Sequence, residues 1–275
     1  MANARRDPVL LELLKNGLTA IADEMAVTIV RTARSFVIKE SLDFSTGLMD
    51  SDGALIAQGL CLPLHMGSFP PTMRAILDDY GDDIRPGDVF ACNDPYLGGG
   101  THLPDIYVIK PVFLNDECVG FVATCVHHTD IGGRVPGGNA SDSTEIYQEG
   151  LRLPPLKLYD RGEPVEALFR IIEKNVRVPD KVIGDLYSQV SGCHIGEGGL
   201  LDIIDGYGLE RYRSLTEALL DHTERVTRAE IRTFPDGVYE FHDYIDGDGM
   251  GSGPIRIQLA LTKKDDAFTA DFTGT

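Results

Sequence analysis

The stretch IYVIKPVFLNDECVGFVATCVH, residues 106–127, predicts two long antiparallel strands joined by a tight turn. β-Branched and aromatic residues are frequent in both halves, and Asn115-Asp116-Glu117 between them is typical of a turn. A hairpin places the start of its first strand beside the end of its second. We therefore expect Asp105 and His127 to lie close together at the open end of this hairpin.

Around this hairpin, helical and strand patterns occur in separate groups along the chain. Apolar residues at three- and four-residue spacing predict an amphipathic helix over 8–34 and further helices over 164–233. The predicted strands outside the hairpin are Phe36–Lys39, 45–49, 54–58, 88–92, 238–245, 255–261 and 268–275. This grouping indicates an α+β fold with an N-terminal helix, mixed or antiparallel sheets and a helical segment.

Three further segments complete the predicted organisation. A short helix is expected over 71–80, and residues 130–162, rich in Gly, Pro and polar groups, are predicted to form a long ordered loop. The second helix after residue 164 is expected to break at the glycines of 196–199. We predict an α+β domain with the candidate metal site over 1–163, a helical segment over 164–234, and the start of a β-rich domain over 235–275. The sheet of that last domain is expected to continue beyond Thr275.

Composition excludes several classes of function. The 275 residues include 25 basic and 43 acidic side chains, which give a formal charge of −18. Such a surface repels nucleic acid and anionic lipid, and no apolar run is long enough for a membrane span. Five cysteines form no C-x-x-C pair, and no export signal precedes the first helix, so we expect a cytoplasmic protein with reduced thiols.

The densest polar segment, NDPYLGGGTHLPD over residues 93–105, comes just before the hairpin. Three successive glycines are typical of a loop with unusual dihedral angles or a close approach to another group. His102 and Asp105 follow on extended backbone, where an imidazole and a carboxylate can converge on a metal ion. On spacing alone, a capping or salt-bridging pair is the commoner role for such a motif. Residues 45–49 and 54–58 are predicted to form an earlier hairpin around the turn 50–53, and Asp43, at the mouth of this hairpin, is a third acidic candidate.

The remaining histidines have open or structural interpretations. His127 and His128 point to opposite faces of a strand, so both can join one ligand set only if the strand bulges. His65, in PLHMGS over residues 63–68, is either a hydrogen-bonded structural residue or part of a site. The histidines interpreted as structural are His194, His222 and His242.

Several ordered motifs extend over nearly the whole chain. They are ESLDFS (40–45), PLHMGS (63–68), NDPYLGGGTHLPD (93–105), HHTDIGG (127–133), QEGLRLPP (148–155), NVRVP (175–179), GDL (184–186) and DFTGT (271–275). Together they resemble the hydantoinase B/oxoprolinase family, which includes B-type subunits of ATP-dependent hydantoinases, caprolactamase and 5-oxoprolinase. Acetone and acetophenone carboxylases contain related subunits. Family members continue well past the last motif, so this chain resembles an N-terminal half.

The resemblance implies a divalent metal, zinc or manganese. Its implied ligands, which would also be the catalytic residues, are Asp43, His102, Asp105 and His127. The residues that would orient these ligands are His65, His128 and Asp130. Arg134 and Arg152, in the long loop, are candidates to contact an anionic intermediate.

The resemblance also implies a partner. In related enzymes an A-type subunit or domain binds ATP and phosphorylates the substrate, and this chain contains no G-x-x-x-x-G-K-[ST] motif of its own. The glycine-rich segment GDGMGSG, residues 247–253, lies between two predicted strands and is interpreted as a hairpin turn rather than a nucleotide-binding loop.

The implied function is that of the metal-binding subunit of an ATP-dependent cyclic amidohydrolase, within a hetero-oligomer. Metal-bound water would attack a small cyclic amide that the A-type partner has activated by phosphorylation. Two alternatives stay open from the sequence. One is a subunit of an ATP-dependent ketone carboxylase, which would use the same ligands, and the other is a truncated, non-catalytic assembly module.

Overall fold

The computed structural model describes residues 7–59, 62–98 and 100–275, and contacts between residues divide them into two units. The first unit extends to Asn139 and continues over Glu145–Thr216, and the second contains Ala140–Thr144 and Glu217–Thr275. Helices and antiparallel sheets occur in separate groups, so the predicted α+β class is confirmed. Two residues of the sequence analysis, Cys61 and Gly99, lie outside the described residues.

A seven-stranded antiparallel sheet is the framework of the first unit, with strand order β2-β1-β5-β4-β3-β6-β7. Its strands are β1 (Phe44–Met49), β2 (Leu55–Gln58), β3 (Val89–Cys92), β4 (Asp105–Leu114), β5 (Glu117–His127), β6 (Leu156–Asp160) and β7 (Glu163–Pro164). The hairpin predicted from residues 106–127 is β4-β5, and its register pairs Asp105 with His127. The predicted proximity of these two residues is therefore confirmed.

Different helices cover the two faces of this sheet. The α-helices among the described residues are α1 (Pro8–Thr32), α2 (Phe36–Lys39), α3 (Phe69–Tyr80), α4 (Glu166–Asn175), α5 (Pro179–Tyr207) and α6 (Leu209–Ile231). On one face, Phe69 and Met73 of α3 join Tyr107 and Phe121 in a buried apolar cluster. On the other face, α1 packs against α5, and α5 contacts β4 and β5. Within the described ranges, no helix combines the length and apolar character that crossing a bilayer requires.

α5 is continuous at the glycines of 196–199, where the sequence predicts a break. A Cβ atom at Gly196 would lie 2.5 Å from Met25 Sδ, and one at Gly199 would lie 2.8 Å from Ile21 Cγ1. These glycines allow α5 to approach α1 closely, and burial of the apolar face of α1 outweighs a helix penalty of about 1 kcal/mol per glycine. The prediction of a broken helix is therefore wrong.

Two other local predictions are corrected by tertiary and capping contacts. Phe36–Lys39 is the short helix α2 rather than a strand, because Ser35 Oγ accepts a hydrogen bond from the Ile38 N–H at 3.4 Å and caps it. The predicted loop over 130–162 contains β6, which pairs with β3 on one side and with the edge strand β7 on the other. β6 has only five residues, and an alternation of apolar and polar residues over so short a segment does not distinguish a strand from a loop.

The second unit contains a three-stranded antiparallel sheet in the order β10-β9-β8. Its strands are β8 (Gly237–Ile245), β9 (Ile255–Lys264) and β10 (Ala267–Asp271). The three predicted strands are confirmed, except that the last one ends at Asp271 rather than at Thr275, because the Thr275 N–H donates to the Phe272 carbonyl in a turn at 3.0 Å. The glycine-rich segment 247–253 connects β8 to its antiparallel neighbour β9, as a hairpin turn requires. No disulfide joins the cysteines that the structure describes, which are Cys92, Cys118, Cys125 and Cys193.

Candidate metal centre

The open end of the β4-β5 hairpin gathers three of the predicted ligands. Asp105 is the first residue of β4, His127 is the last residue of β5, and the two are register partners. His102 is one turn earlier, and its carbonyl accepts a hydrogen bond from the Asp105 N–H at 3.1 Å. A tight turn and a strand pair, both local features of the sequence, therefore bring these side chains together.

We call His102, Asp105 and His127 the candidate metal group. One potential ligand atom from each residue lies within 4.8 Å of the corresponding atoms of the other two. The two imidazole centroids are 4.9 Å apart, and His102 Nε2 lies 3.2 Å from Asp105 Oδ1. Two imidazole nitrogens and a carboxylate oxygen form a donor set that zinc and manganese both accept.

The electrostatics of the group favour an ionised carboxylate beside one neutral imidazole. Burial opposes ionisation of the Asp105 carboxyl. This effect is outweighed by contacts with the side chains of His102, His65 and Thr101, which hold the pKa of the carboxyl well below its usual range. The contact with Asp105 raises the pKa of His102, against the effect of burial. Burial lowers the pKa of His127, which favours the neutral form that coordinates metals.

Two buried atoms of the group have unused bonding capacity. Asp105 Oδ1 and His127 Nδ1 are buried, and no hydrogen bond from the described residues reaches either atom. His102 Nε2 is close enough to Asp105 Oδ1 for an ion pair but is not aligned as a hydrogen bond. A buried polar atom without a partner costs roughly 1–3 kcal/mol. A cation between these side chains would satisfy both atoms, so the residues fit a divalent ion.

The structure places Asp43 beside the candidate metal group rather than within it. The Asp43 carbonyl accepts a hydrogen bond from the His127 N–H at 3.1 Å, next to the pairing of β1 with β5. Asp105 has the largest effect on the pKa of His102, and burial has the largest effect on that of His127; the charge of Asp43 acts on both more weakly. Its carboxylate is not among the atoms that lie within 4.8 Å of one another. Asp43 therefore stays a predicted fourth ligand.

His65 contacts the group from the 3-10 helix Pro63–Gly67. Its Nε2 lies 3.4 Å from Asp105 Oδ2, and its Nδ1 lies 2.9 Å from Ser45 Oγ. Ser45 donates its own proton to the Leu62 carbonyl at 2.6 Å. Because the residue is 1% exposed, these contacts fix the ring against the second oxygen of Asp105. The position suits a residue that orients a ligand.

His128 and Asp130 are bound elsewhere and are not part of the donor group. His128 Nε2 lies 3.0 Å from Gln189 Oε1 on α5, on the opposite face of the sheet. The Asp130 carboxylate accepts hydrogen bonds from the Arg177 backbone N–H at 2.6 Å and from its guanidinium at 2.9 Å. These contacts anchor the start of the loop after β5.

The two arginines predicted to contact substrate have different surroundings. Arg134 is exposed in the loop after β5, where its backbone N–H donates to the Gln148 carbonyl at 2.9 Å. Arg152 Nε lies 3.5 Å from Asp94 Oδ2, and its guanidinium carbon lies 5.4 Å from the Tyr147 ring centroid. Of the two, Arg152 lines a pocket, which has a volume of about 370 Å³.

Three supporting residues escaped the sequence analysis. Thr101 Oγ1 donates a hydrogen bond to Asp105 Oδ2, and the Asn139 side chain helps to raise the pKa of His102. The Asn93 side chain donates to the carbonyl oxygens of Leu103 and Leu151. Thr101 and Asn93 belong to the polar segment 93–105, so that motif could have indicated their role. No feature of the sequence near Asn139 indicates its role.

Comparison with known proteins identifies relatives of this chain. Residues 7–275 match the family model described as hydantoinase B/oxoprolinase. The beta subunit of caprolactamase from Pseudomonas jessenii is 36% identical over 261 residues, which are 94% of this chain and 45% of that protein. The B subunit of a putative D-/L-hydantoinase from Pseudomonas sp. (strain NS671) is 33% identical over 278 residues, which cover 98% of this chain and 47% of that protein.

Two solved structures share the fold. The crystal structure of the ATP-dependent caprolactamase from Pseudomonas jessenii superposes with a TM-score of 0.89 and 36% identity, covering 96% of this chain and 45% of that chain. A nucleotide-free acetone carboxylase also gives a TM-score of 0.89, at 19% identity over 97% of this chain and 37% of that chain, which shows likeness of fold alone. The chain spans less than half the length of these relatives. Because the family model covers nearly all of its residues, the resemblance is confirmed, and the chain belongs to the hydantoinase B/oxoprolinase family.

Proposed function

We propose that this chain is the metal-binding part of a B-type subunit in an ATP-dependent cyclic amidohydrolase, which opens a hydantoin, lactam or 5-oxoproline ring. The observation that carries the proposal is the candidate metal group, whose buried atoms Asp105 Oδ1 and His127 Nδ1 make no hydrogen bond within the described residues. The relatives support the reaction class, because they include an ATP-dependent caprolactamase and a putative hydantoinase.

In this proposal His102, Asp105 and His127 hold a divalent ion, zinc or manganese, and Asp43 is its fourth ligand. When bound, such an ion lowers the pKa of a water molecule towards neutrality and polarises a carbonyl oxygen. Asp105 supplies negative charge through Oδ1, because His65 and Thr101 already contact Oδ2. Burial keeps the His127 imidazole neutral, so a nitrogen lone pair is available to the ion.

An unstrained ring amide is a poor electrophile, so its hydrolysis needs activation. We propose that an A-type partner binds ATP and phosphorylates the amide oxygen, releasing ADP. Water then adds to the ring carbonyl carbon, and the C–N bond breaks as the nitrogen takes up a proton. A second water molecule hydrolyses the resulting acyl phosphate to the carboxylate and inorganic phosphate. The caprolactamase and hydantoinase relatives are named as subunits, which supports a partner chain.

Exposed apolar side chains that lie near the predicted ligands in the sequence also fit a partner. Large exposed apolar side chains flank these ligands in the sequence: Phe36, Leu42, Leu64, Tyr96 and Leu97. We propose that these side chains form one apolar patch that the partner covers, since contiguous exposed apolar patches are typical of protein–protein interfaces. A partner in this place would exclude bulk water from the phosphorylated amide, so that this intermediate is not hydrolysed before it reaches the predicted ligands.

The proposed function predicts ring opening that depends on the partner, ATP and a metal. The chain is expected to hydrolyse a cyclic amide when co-expressed with an A-type subunit and supplied with ATP. Activity should fall on treatment with a chelator and return with zinc or manganese, as measured by chromatography of the ring-opened amino acid. Turnover without ATP, or turnover that chelation leaves unchanged, would contradict the proposal. Consumption of bicarbonate with a ketone would instead indicate a carboxylase.

His65→Ala is expected to weaken metal binding by about 10- to 100-fold, which is typical of residues that orient a ligand. The variant removes the contact at 3.4 Å that holds Asp105 Oδ2. Competition with a chromogenic chelator measures the change in affinity. His222→Ala, an exposed histidine on α6, is the matched control and should bind metal as the wild type does. Equal affinities in the two variants would rule out the orienting role of His65.

A further inference from the structure

A pocket of about 370 Å³ in the first unit is not used by the proposed metal chemistry. It lies between the loop that follows β5 and the end of α4, and its lining residues are Gly133, Tyr147, Gly150, Leu151, Arg152 and Asn175. Arg152 is the charged side chain among these lining residues. In a chain with a formal charge of −18, a cation lining a pocket is a candidate to attract an anion.

Neighbouring side chains orient the Arg152 guanidinium but leave some of its N–H donors without an acceptor among the described residues. Asp94 Oδ2 lies 3.5 Å from Arg152 Nε, and the Tyr147 ring lies beneath the guanidinium with its centroid 5.4 Å away. Among the described residues, no hydrogen bond uses the two terminal nitrogens of Arg152. The side chain is 36% exposed, so these N–H groups remain accessible to a ligand. Their planar geometry matches a group that presents two oxygens.

One side chain connects the wall of this pocket to the candidate metal centre. Asn93 Nδ2 donates a hydrogen bond to the carbonyl oxygen of Leu103 at 2.7 Å and to that of Leu151 at 3.0 Å. Leu103 follows the predicted ligand His102, and Leu151 lines the pocket. Because both carbonyl oxygens accept a hydrogen bond from the same nitrogen atom, the pocket wall and the backbone next to His102 are immediate neighbours.

We propose that this pocket binds an oxyanion of the substrate or of its activated intermediate through the Arg152 guanidinium. A carboxylate on the cyclic amide and a phosphoryl group on the activated amide both present the oxygens that this geometry suits. The inference rests on the proposed function for the origin of its ligand, and it assigns to Arg152 the role of placing an anionic group beside the metal centre. Arg152 would contribute binding rather than metal coordination.

Titration of the isotopically labelled full chain with inorganic phosphate or with acetate, at constant ionic strength, tests the proposal by NMR. At least one anion should produce saturable shifts in the amides of Gly133 and Gly150. Arg152→Ala should weaken that binding by about tenfold or more, since a charge-assisted bidentate contact is lost. Binding of phosphate alone would indicate a phosphoryl group as the ligand, and binding of acetate would indicate a carboxylate.

Arg74→Ala is the matched control, because it removes the same charge from an exposed position on α3. It should leave the anion affinity unchanged, and His102→Ala should also retain anion binding. Equal affinities in Arg152→Ala and the wild type, or the absence of a saturable shift with either anion, would overturn the proposal. Saturable binding in a wild-type chain that cannot bind metal would support the pocket and contradict the proposed function.

Discussion

His102→Ala is expected to abolish stoichiometric metal binding and to lower the rate of ATP-dependent ring opening by about 1,000-fold or more. A bound ion lowers the activation free energy by several kcal/mol, and each 1.36 kcal/mol changes the rate tenfold. The variant removes one of the two imidazoles of the candidate metal group. Elemental analysis of the purified protein and turnover in the complex with the A-type partner measure the two effects.

The fold should survive this substitution, because the His102 side chain is 36% exposed and lies outside the buried clusters. Thermal unfolding of the variant checks this point. His194→Ala, whose side chain is 60% exposed on α5, is the matched control and should retain metal and turnover. A His102→Ala protein with full metal content and wild-type turnover would rule out the candidate metal group as the catalytic centre.

Gly196→Val is expected to lower the free energy of unfolding by roughly 1–3 kcal/mol, the range for overpacking a buried site. A Cβ atom at Gly196 would lie 2.5 Å from Met25 Sδ and 3.0 Å from Val122 Cγ1. Neither α1 nor the sheet can retreat from α5 without losing buried contacts of its own. Chemical denaturation followed by circular dichroism measures the loss.

The neighbouring Gly198 supplies a control of opposite sign. No heavy atom lies within 4 Å of a Cβ atom at this position. Gly198→Ala should therefore raise the free energy of unfolding by about 0.5–1 kcal/mol, through helix propensity alone. A Gly196→Val protein as stable as the wild type would show that α5 does not approach α1 as closely as the structure has it.

The elements that could be predicted from the sequence are those whose cause is local. The β4-β5 hairpin follows from two apolar runs and a polar turn, and its register then requires that Asp105 and His127 are neighbours. The continuity of α5 could not be predicted, since glycine favours a break unless a partner helix fills the space. That partner, around Met25, is far away in the sequence.

The same distinction separates the predictable and unpredictable parts of the candidate metal centre. His102 precedes Asp105 by one turn, so their convergence is visible in the motif. The contact of His65 with Asp105 and the pairing of Asp130 with Arg177 depend on how distant segments pack. No spacing rule reveals that Asp130 is occupied by an arginine 47 residues later. Functional roles that depend on such contacts need the three-dimensional structure.

Anomalous diffraction from crystals of the purified chain, recorded above and below the zinc and manganese absorption edges, tests the central claim most directly. We predict a single strong peak between the imidazoles of His102 and His127 and the carboxylate of Asp105, with Asp43 drawn towards it as a further ligand. A metal-replete protein whose anomalous peak lies away from these side chains would contradict the account.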